Sequence, residues 1–179
     1  MANDASNVSV AGDGMIAYGD LDAAAPTGLG TLPAGFRALG YISEDGVVES
    51  TEQSVEKIKA WQRNATVRST VTEGETTYQF TMIETNPATV ELAFGVEVGS
   101  DGSYVKSPGK ERPRKSFIID VIDGERIERQ YIPDGQVTEL GEITRANGEP
   151  VGYEVTITAY DNDGIGGSGK GWDTGSRAT

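Results

Sequence analysis

The amino-acid sequence predicts a mainly β protein: an antiparallel sandwich or small barrel with one flanking α-helix and long connecting loops. Three observations lead there. Apolar and polar residues alternate with period two in several segments, most plainly Thr66–Glu84 and Val151–Tyr160. Turn-forming pairs, Asp123-Gly124 and Asn147-Gly148, separate such segments. A single stretch, Asn86 to Gly95, carries a full set of helix signals.

Taken in order, Met15-Ile-Ala-Tyr-Gly19 reads as a first strand, and Asp20 to Gly30 as a loop rich in Ala, Pro, Gly and Thr. Pro33 to Leu39 is expected to form one helical turn stopped by Gly40, since proline suits a helix start and glycine a stop. Tyr41-Ile42-Ser43 is extended. Glu44 to Glu56 holds five acidic residues, no basic one and no clean period, so a long loop or extended arm is expected. Ile58 to Trp61 closes it as a strand.

Thr66–Thr72 and Thr76–Glu84 flank Glu73-Gly74-Glu75, which predicts a hairpin with a loop of three residues. Val67, Val71, Tyr78, Phe80 and Met82 fall on its buried face. Thr70, Thr72, Thr77, Gln79 and Thr81 fall on its wet face. In the helix that follows, Asn86 caps, Pro87 takes the first position and Gly95 terminates. Phe117–Ile122, Arg126–Ile132, Val137–Thr144 and Val151–Tyr160 complete about eight strands. Residues 1–160 thus read as one β domain with an N-terminal arm. Residues 161–179, six glycines in nineteen, read as a flexible tail.

Composition narrows the chemistry. The 179 residues suffice for one core, and 24% charged with 36% hydrophobic residues fits neither a disordered nor a membrane-spanning chain. No apolar run approaches the ~20 residues that cross a bilayer, and Met1 to Asn7 resembles no signal peptide. Cysteine and histidine are both absent. Their absence removes disulfides, thiol nucleophiles, the usual Ser-His-Asp arrangement and most catalytic zinc sites.

Nor do the remaining motifs hold. Gly164–Lys170 approximates a phosphate-binding loop, but Gly171 replaces the required Ser or Thr. Asp161-Asn-Asp163-Gly164 places its glycine two positions early for a calcium-binding EF-hand loop. Gly166–Gly169 starts a calcium β-helix pattern once and fails at Gly171. No enzyme activity, metal or cofactor is expected. The net charge of −13 would repel nucleic acid rather than hold it.

The stretch Phe36-Arg-Ala-Leu-Gly-Tyr-Ile-Ser-Glu-Asp-Gly46 resembles the major tail (tail tube) proteins of long, non-contractile-tailed bacteriophages. So do Met1–Val10, Glu56–Trp61 and the run from Tyr78 to Gly95, and the likeness covers roughly residues 1–160. It departs at the C-terminus, where some relatives carry an immunoglobulin-like domain. The resemblance implies a virion component made in the host bacterial cytoplasm. It implies a β-sandwich, six copies per ring, and rings stacked into a tube that conducts the genome at ejection. It also implies long assembly loops, with the segment near 44–60 reaching the adjacent ring. Expected partners are copies of the chain itself, tape-measure protein, and tail terminator or tip proteins, while double-stranded DNA passes without specific binding. The tube of a contractile injection machine and a carbohydrate-binding sandwich are the alternative readings.

Candidate contacts between copies are Glu44, Asp45, Glu49, Glu52, Glu56 and Trp61 on one side. On the other stand Lys106, Lys110, Arg112, Arg114 and Lys115, which are five of the fifteen basic residues within ten positions. Trp61 is expected in a core or an interface rather than a sugar platform. The wet-face residues Thr70, Thr72, Thr77, Gln79 and Thr81 are the candidate lumen lining.

Overall fold

The structure, a computed structural model, describes residues 8–175. Its elements are β1 (Asp13–Gly19), β2 (Arg37–Ala38), β3 (Ile42–Lys59), β4 (Thr66–Met82), α1 (Pro87–Phe94), β5 (Lys115–Asp123), β6 (Arg126–Leu140), β7 (Tyr153–Ala159) and β8 (Lys170–Asp173). The strands pair antiparallel in one sheet of order β2-β1-β5-β6-β7-β4-β3, with β8 added on β6. The sheet does not close into a barrel.

Strand β6 folds this sheet over on itself. Its first half lies between β5 and β8, with Gln130 opposite both Ile119 and Gly171. Its second half pairs with β7, with Val137 opposite Ile157. The change of neighbour falls at Pro133–Gly135, where the β5 register slips. Proline supplies no ladder donor there. Gly135 leaves room for the bend: a Cβ on it would lie 2.9 Å from the Phe117 ring.

The fold-over brings alternate residues of distant strands together. Ile16 and Tyr18 of β1 and Phe117 and Ile119 of β5 share one core with Tyr78, Phe80 and Met82 of β4 and Tyr153, Val155 and Ile157 of β7. Each such side chain contributes about 1.5–3 kcal/mol by leaving water. On the other face of the β1–β5–β6 layer, Ala17, Phe36, Ile118 and Tyr131 form a smaller cluster, with Leu32 and Trp172 packed on it. Loop 20–36 and β8 cover that side.

Helix α1 forms as the sequence predicts. The Asn86 side chain accepts from Thr89 N–H, Pro87 begins the helix, and Gly95 ends it at φ 64°. The buried face presents Thr89, Val90, Leu92 and Ala93. Tyr18, Arg37 and Glu91 tie the helix to β1: Arg37 donates to the Tyr18 hydroxyl and the Glu91 carboxylate, both at 2.7 Å. Burial pushes the Tyr18 phenol well above its ordinary range.

Five expectations need correction. Pro33–Leu39 is no helical turn; a turn at residues 34–35 leads straight into β2, which pairs Ala38 with Ala17. Glu44–Glu56 is not a loop but the body of an 18-residue strand. Glu73-Gly74-Glu75 is not a hairpin loop but the middle of β4, held straight by pairing with Glu52–Ser54. The two expected strands Arg126–Ile132 and Val137–Thr144 are one strand through residue 140. The glycine-rich segment after residue 160 is not a free tail within the described residues, because Lys170–Asp173 pairs with Tyr131–Glu128. Polar or glycine-rich local composition suggested loops or breaks in the last four segments, where partner strands supply hydrogen bonds instead. Residues 1–7 of the expected N-terminal arm lie outside the described residues.

Candidate assembly surface

Strands β3 and β4 form a two-stranded arm much longer than the sheet that carries it. Residues 76–82 of β4 pair with β7, while residues 66–75 have β3 as their sole strand partner among the described residues. Every residue from Val48 to Glu75 except Ala60 is exposed. An isolated two-stranded ribbon is marginal in water, yet this one displays Val48, Val55, Ile58, Val67 and Val71 to solvent. The expected burial of Val67 and Val71 is thus also corrected, because no core lies behind that part of β4. At its tip Ala60 N–H donates to Ala65 C=O at 2.7 Å, and Arg63 and Asn64 adopt left-handed φ values of 57° and 53°. Trp61 stands on this turn, 97% exposed.

The arm's two faces follow from its register. Opposed residues share a face, so Val47, Glu49 and Thr51 lie with Phe80, Tyr78 and Thr76. Ser50 and Glu52 lie with Thr77 and Glu75 on the other face. On one straight strand, Thr70 and Thr77 would point to opposite faces. A bulge prevents that: Ser54 pairs with Glu73 and Val55 with Val71, which leaves Thr72 as the extra residue. The one-residue slip returns Thr70 to the face of Thr77, Gln79 and Thr81. Thr72 itself donates to Ser54 C=O at 3.2 Å.

That face continues onto β7 and β6. Thr77 lies opposite Thr158, Gln79 opposite Thr156, and Thr81 opposite Glu154. Gln79 donates to Glu154 at 2.6 Å, Thr158 to Glu75 at 3.1 Å, and Thr138 and Thr158 hydroxyls meet at 3.1 Å. The result is a hydroxyl, amide and carboxylate surface across β4, β7 and the end of β6. On the opposite face, burial pushes the Tyr78 phenol up to about 12, and it accepts from Gln130.

The acidic residues Glu44, Asp45, Glu49, Glu52 and Glu56 are all exposed along β3 but do not share a face; Glu49 sits opposite Tyr78, Glu52 opposite Glu75 and Glu56 opposite Thr70. The basic segment is largely occupied within its own chain. The Lys106 ammonium lies 4.1 Å from the centre of the Phe94 ring, and Arg112 donates to Ala93 C=O at the end of α1. Arg114 pairs with Asp134 at 2.7 Å and lies over Tyr160, while Lys115 pairs with Asp20 and holds its carboxyl below the usual range. Lys110 lies in a surface turn begun by Ser107. Among the described residues no ion pair joins the two sets within one chain.

Sequence reasoning missed the arm's other charge. Lys57, Lys59, Arg63 and Arg68 surround the tip, and no acidic residue occurs from 57 to 72. The run was legible as a gap in the acidic pattern; the hairpin loop assumed at Gly74 hid that it crowns one turn. No group of potential metal ligands gathers among the described residues, and no helix is long and apolar enough to cross a membrane.

An edge of β3 left unpaired among the described residues, and an apolar-studded arm with no core behind it, define a structural subunit made to join other copies. The sequence profile of the phage tail tube protein family matches residues 1–167. The chain belongs to that family, and it is a virion structural protein of the phage tail. No curated protein sequence matches it. Among solved structures, one chain of the virion of a native gene transfer agent particle is similar across 90% of this chain and 96% of that chain, with a TM-score of 0.42 and 10% identity.

Proposed function

We propose that the chain closes into rings, six copies each, which stack into the tube through which the genome passes at ejection. The observation that carries this reading is the β3–β4 arm: a subunit that exposes an 18-residue edge strand aggregates unless a neighbour covers it. Pairing around a closed ring covers each edge once and leaves none over. The hydroxyl and carboxylate face centred on Thr77, Gln79, Thr81, Glu154 and Thr156 lines the channel, with Thr70 and Thr72 extending it along the arm. Such a face suits passage, because cations that recruit phosphates would arrest the duplex. The chain's work is assembly and conduction, without catalysis or cofactor.

Copies of the chain are the main partners, with tape-measure protein inside the tube and terminator or tip proteins at its ends. The acidic residues of β3 and Lys110 are contacts between copies. Lys106, Arg112, Arg114 and Lys115 join them by exchanging the internal partners they hold in the lone subunit. Electron microscopy and sedimentation of the purified chain test the reading. Rings or tubes with a central channel are expected; a monomer that persists at high concentration would contradict it.

A further inference from the structure

The arm tip and a groove at the arm's base are complementary, and one chain cannot bring them together. The groove, about 530 Å³, runs between the start of β1, the start of β3 and the middle of β5. Ile16, Ile42, Val47, Ile119 and Val121 give it an apolar floor. Its lining holds Asp13, Glu44, Glu84 and Asp120 and no cation, but the Asp120 carboxylate turns to the other face of β5. Asp120 is matched by Arg129 and Glu84 by backbone and Asn86 donors. Asp13 and Glu44 lie at its exposed rim.

The tip has the opposite character. Lys57, Lys59, Arg63 and Arg68 place four positive charges around a fully displayed indole, in a chain of net charge −13. Twelve residue steps along β3 separate Val47 at the groove from Lys59 at the tip, a span of roughly 40 Å. The ladder with β4 keeps this arm extended, so the tip stands far from its own groove.

We propose that the arm tip docks on a second copy of this chain. Trp61 enters the β1–β3–β5 groove, and Arg63 and Arg68 meet Asp13 and Glu44 at its rim. This rests on the assembly reading and specifies which surfaces meet. A larger depression, about 890 Å³, lies beside the arm, lined by Thr51, Glu52, Glu75, Thr138 and Glu139. Its lining is mostly hydroxyl, amide and carboxylate side chains with Ala159 and Tyr160 among them, so it offers an indole a smaller apolar floor. Burying Trp61 is favourable only where its ring leaves water and its N–H keeps a partner; the apolar groove and its carboxylate rim supply both.

The chain contains no cysteine, so introduced thiols report without background. Copies carrying Gln62→Cys at the tip are mixed with copies carrying Ser43→Cys in the groove, assembled, and oxidised. Disulfide-linked heterodimers are expected in assembled material and not in dilute monomer. Copies carrying Thr138→Cys serve as the alternative acceptor; links to them rather than to Ser43→Cys would overturn the proposal. In parallel, Arg63→Glu with Arg68→Glu should lower tube yield at least about tenfold while the melting temperature of the monomer holds. Adding Asp13→Lys with Glu44→Lys should recover part of that yield. Tubes of the mixed cysteine variants that lack the tip-to-groove link, or tubes unaffected by the double reversal, overturn this docking and leave ring assembly standing. A wild-type chain that never assembles overturns both.

Discussion

Arg129 and Asp120 face each other across β6 and β5 through two 2.7 Å hydrogen bonds, with both side chains nearly out of solvent. The same guanidinium donates to Gly28 C=O and so fastens loop 20–36 over the smaller apolar cluster. Removing one partner strands a buried charge, which costs about 3–5 kcal/mol. Asp120→Ala should therefore lower the denaturation midpoint far more than Asp20→Ala, which removes the exposed partner of Lys115, does. Replacing both residues with apolar ones should cost much less than either single change, as urea titration of all three variants would show.

The segment after residue 160 belongs to the subunit's fold. Trp172 packs on the cluster of Ala17, Phe36, Ile118 and Tyr131, and Asp173 pairs with Arg126 at 2.7 Å. Truncation at residue 160 should destabilise the monomer by about 2–4 kcal/mol, by analogy with the loss of one large buried side chain. Calorimetry of the truncated monomer checks this; an unchanged melting temperature would return the segment to the status of a loose tail.

Acid should loosen the same strand. Hydrogen bonding to Arg126 holds the Asp173 carboxyl below the usual carboxylate range. A depressed native value stabilises the fold above the unfolded value and loses that contribution as pH falls through the native one. Hydrogen exchange at Gly171–Asp173 should rise below about pH 4. Asp173→Asn should flatten that dependence.

The bulge at Thr72 sets which way the outer arm faces. Inserting one residue between Ser54 and Val55 gives Thr72 a partner, straightens the ladder and turns residues 66–71 to the opposite face. The core stays intact, because the nearest buried residue on β4 is Tyr78. Normal monomer stability with loss of tubes is the expected result. Tubes of normal yield would show that the outer arm's faces are equivalent.

Thr77→Lys with Gln79→Lys should leave tubes forming but slow DNA passage, since a ring of cations holds phosphates. The slowing should weaken as salt rises, and ejection assays at two ionic strengths would measure it.

How much of this the sequence disclosed depended on where each segment found its hydrogen bonds. The helix was legible down to Asn86, Pro87 and Gly95, because capping is local. Tyr78, Phe80, Met82, Tyr153, Val155 and Ile157 were legible as a buried set, since one face of each strand meets the core. The arm was not. Glu44–Glu56 lacks apolar alternation because neither of its faces is buried in the lone subunit, and Gly74 mimics a turn. The grouping of Thr70 with Thr77 survives for a different reason than expected, a bulge in place of a hairpin loop. The basic segment looked available in sequence, but its partners Asp20, Ala93 and Asp134 lie far along the chain and become visible only once the sheet folds over.

An electron cryomicroscopy map of the assembled tube tests the central claim most directly. The account predicts rings closed by β3–β4 arms, with Thr77, Gln79, Thr81 and Glu154 facing the channel. A map that placed this face on the outer wall, with the β3 edge unpaired, would contradict it.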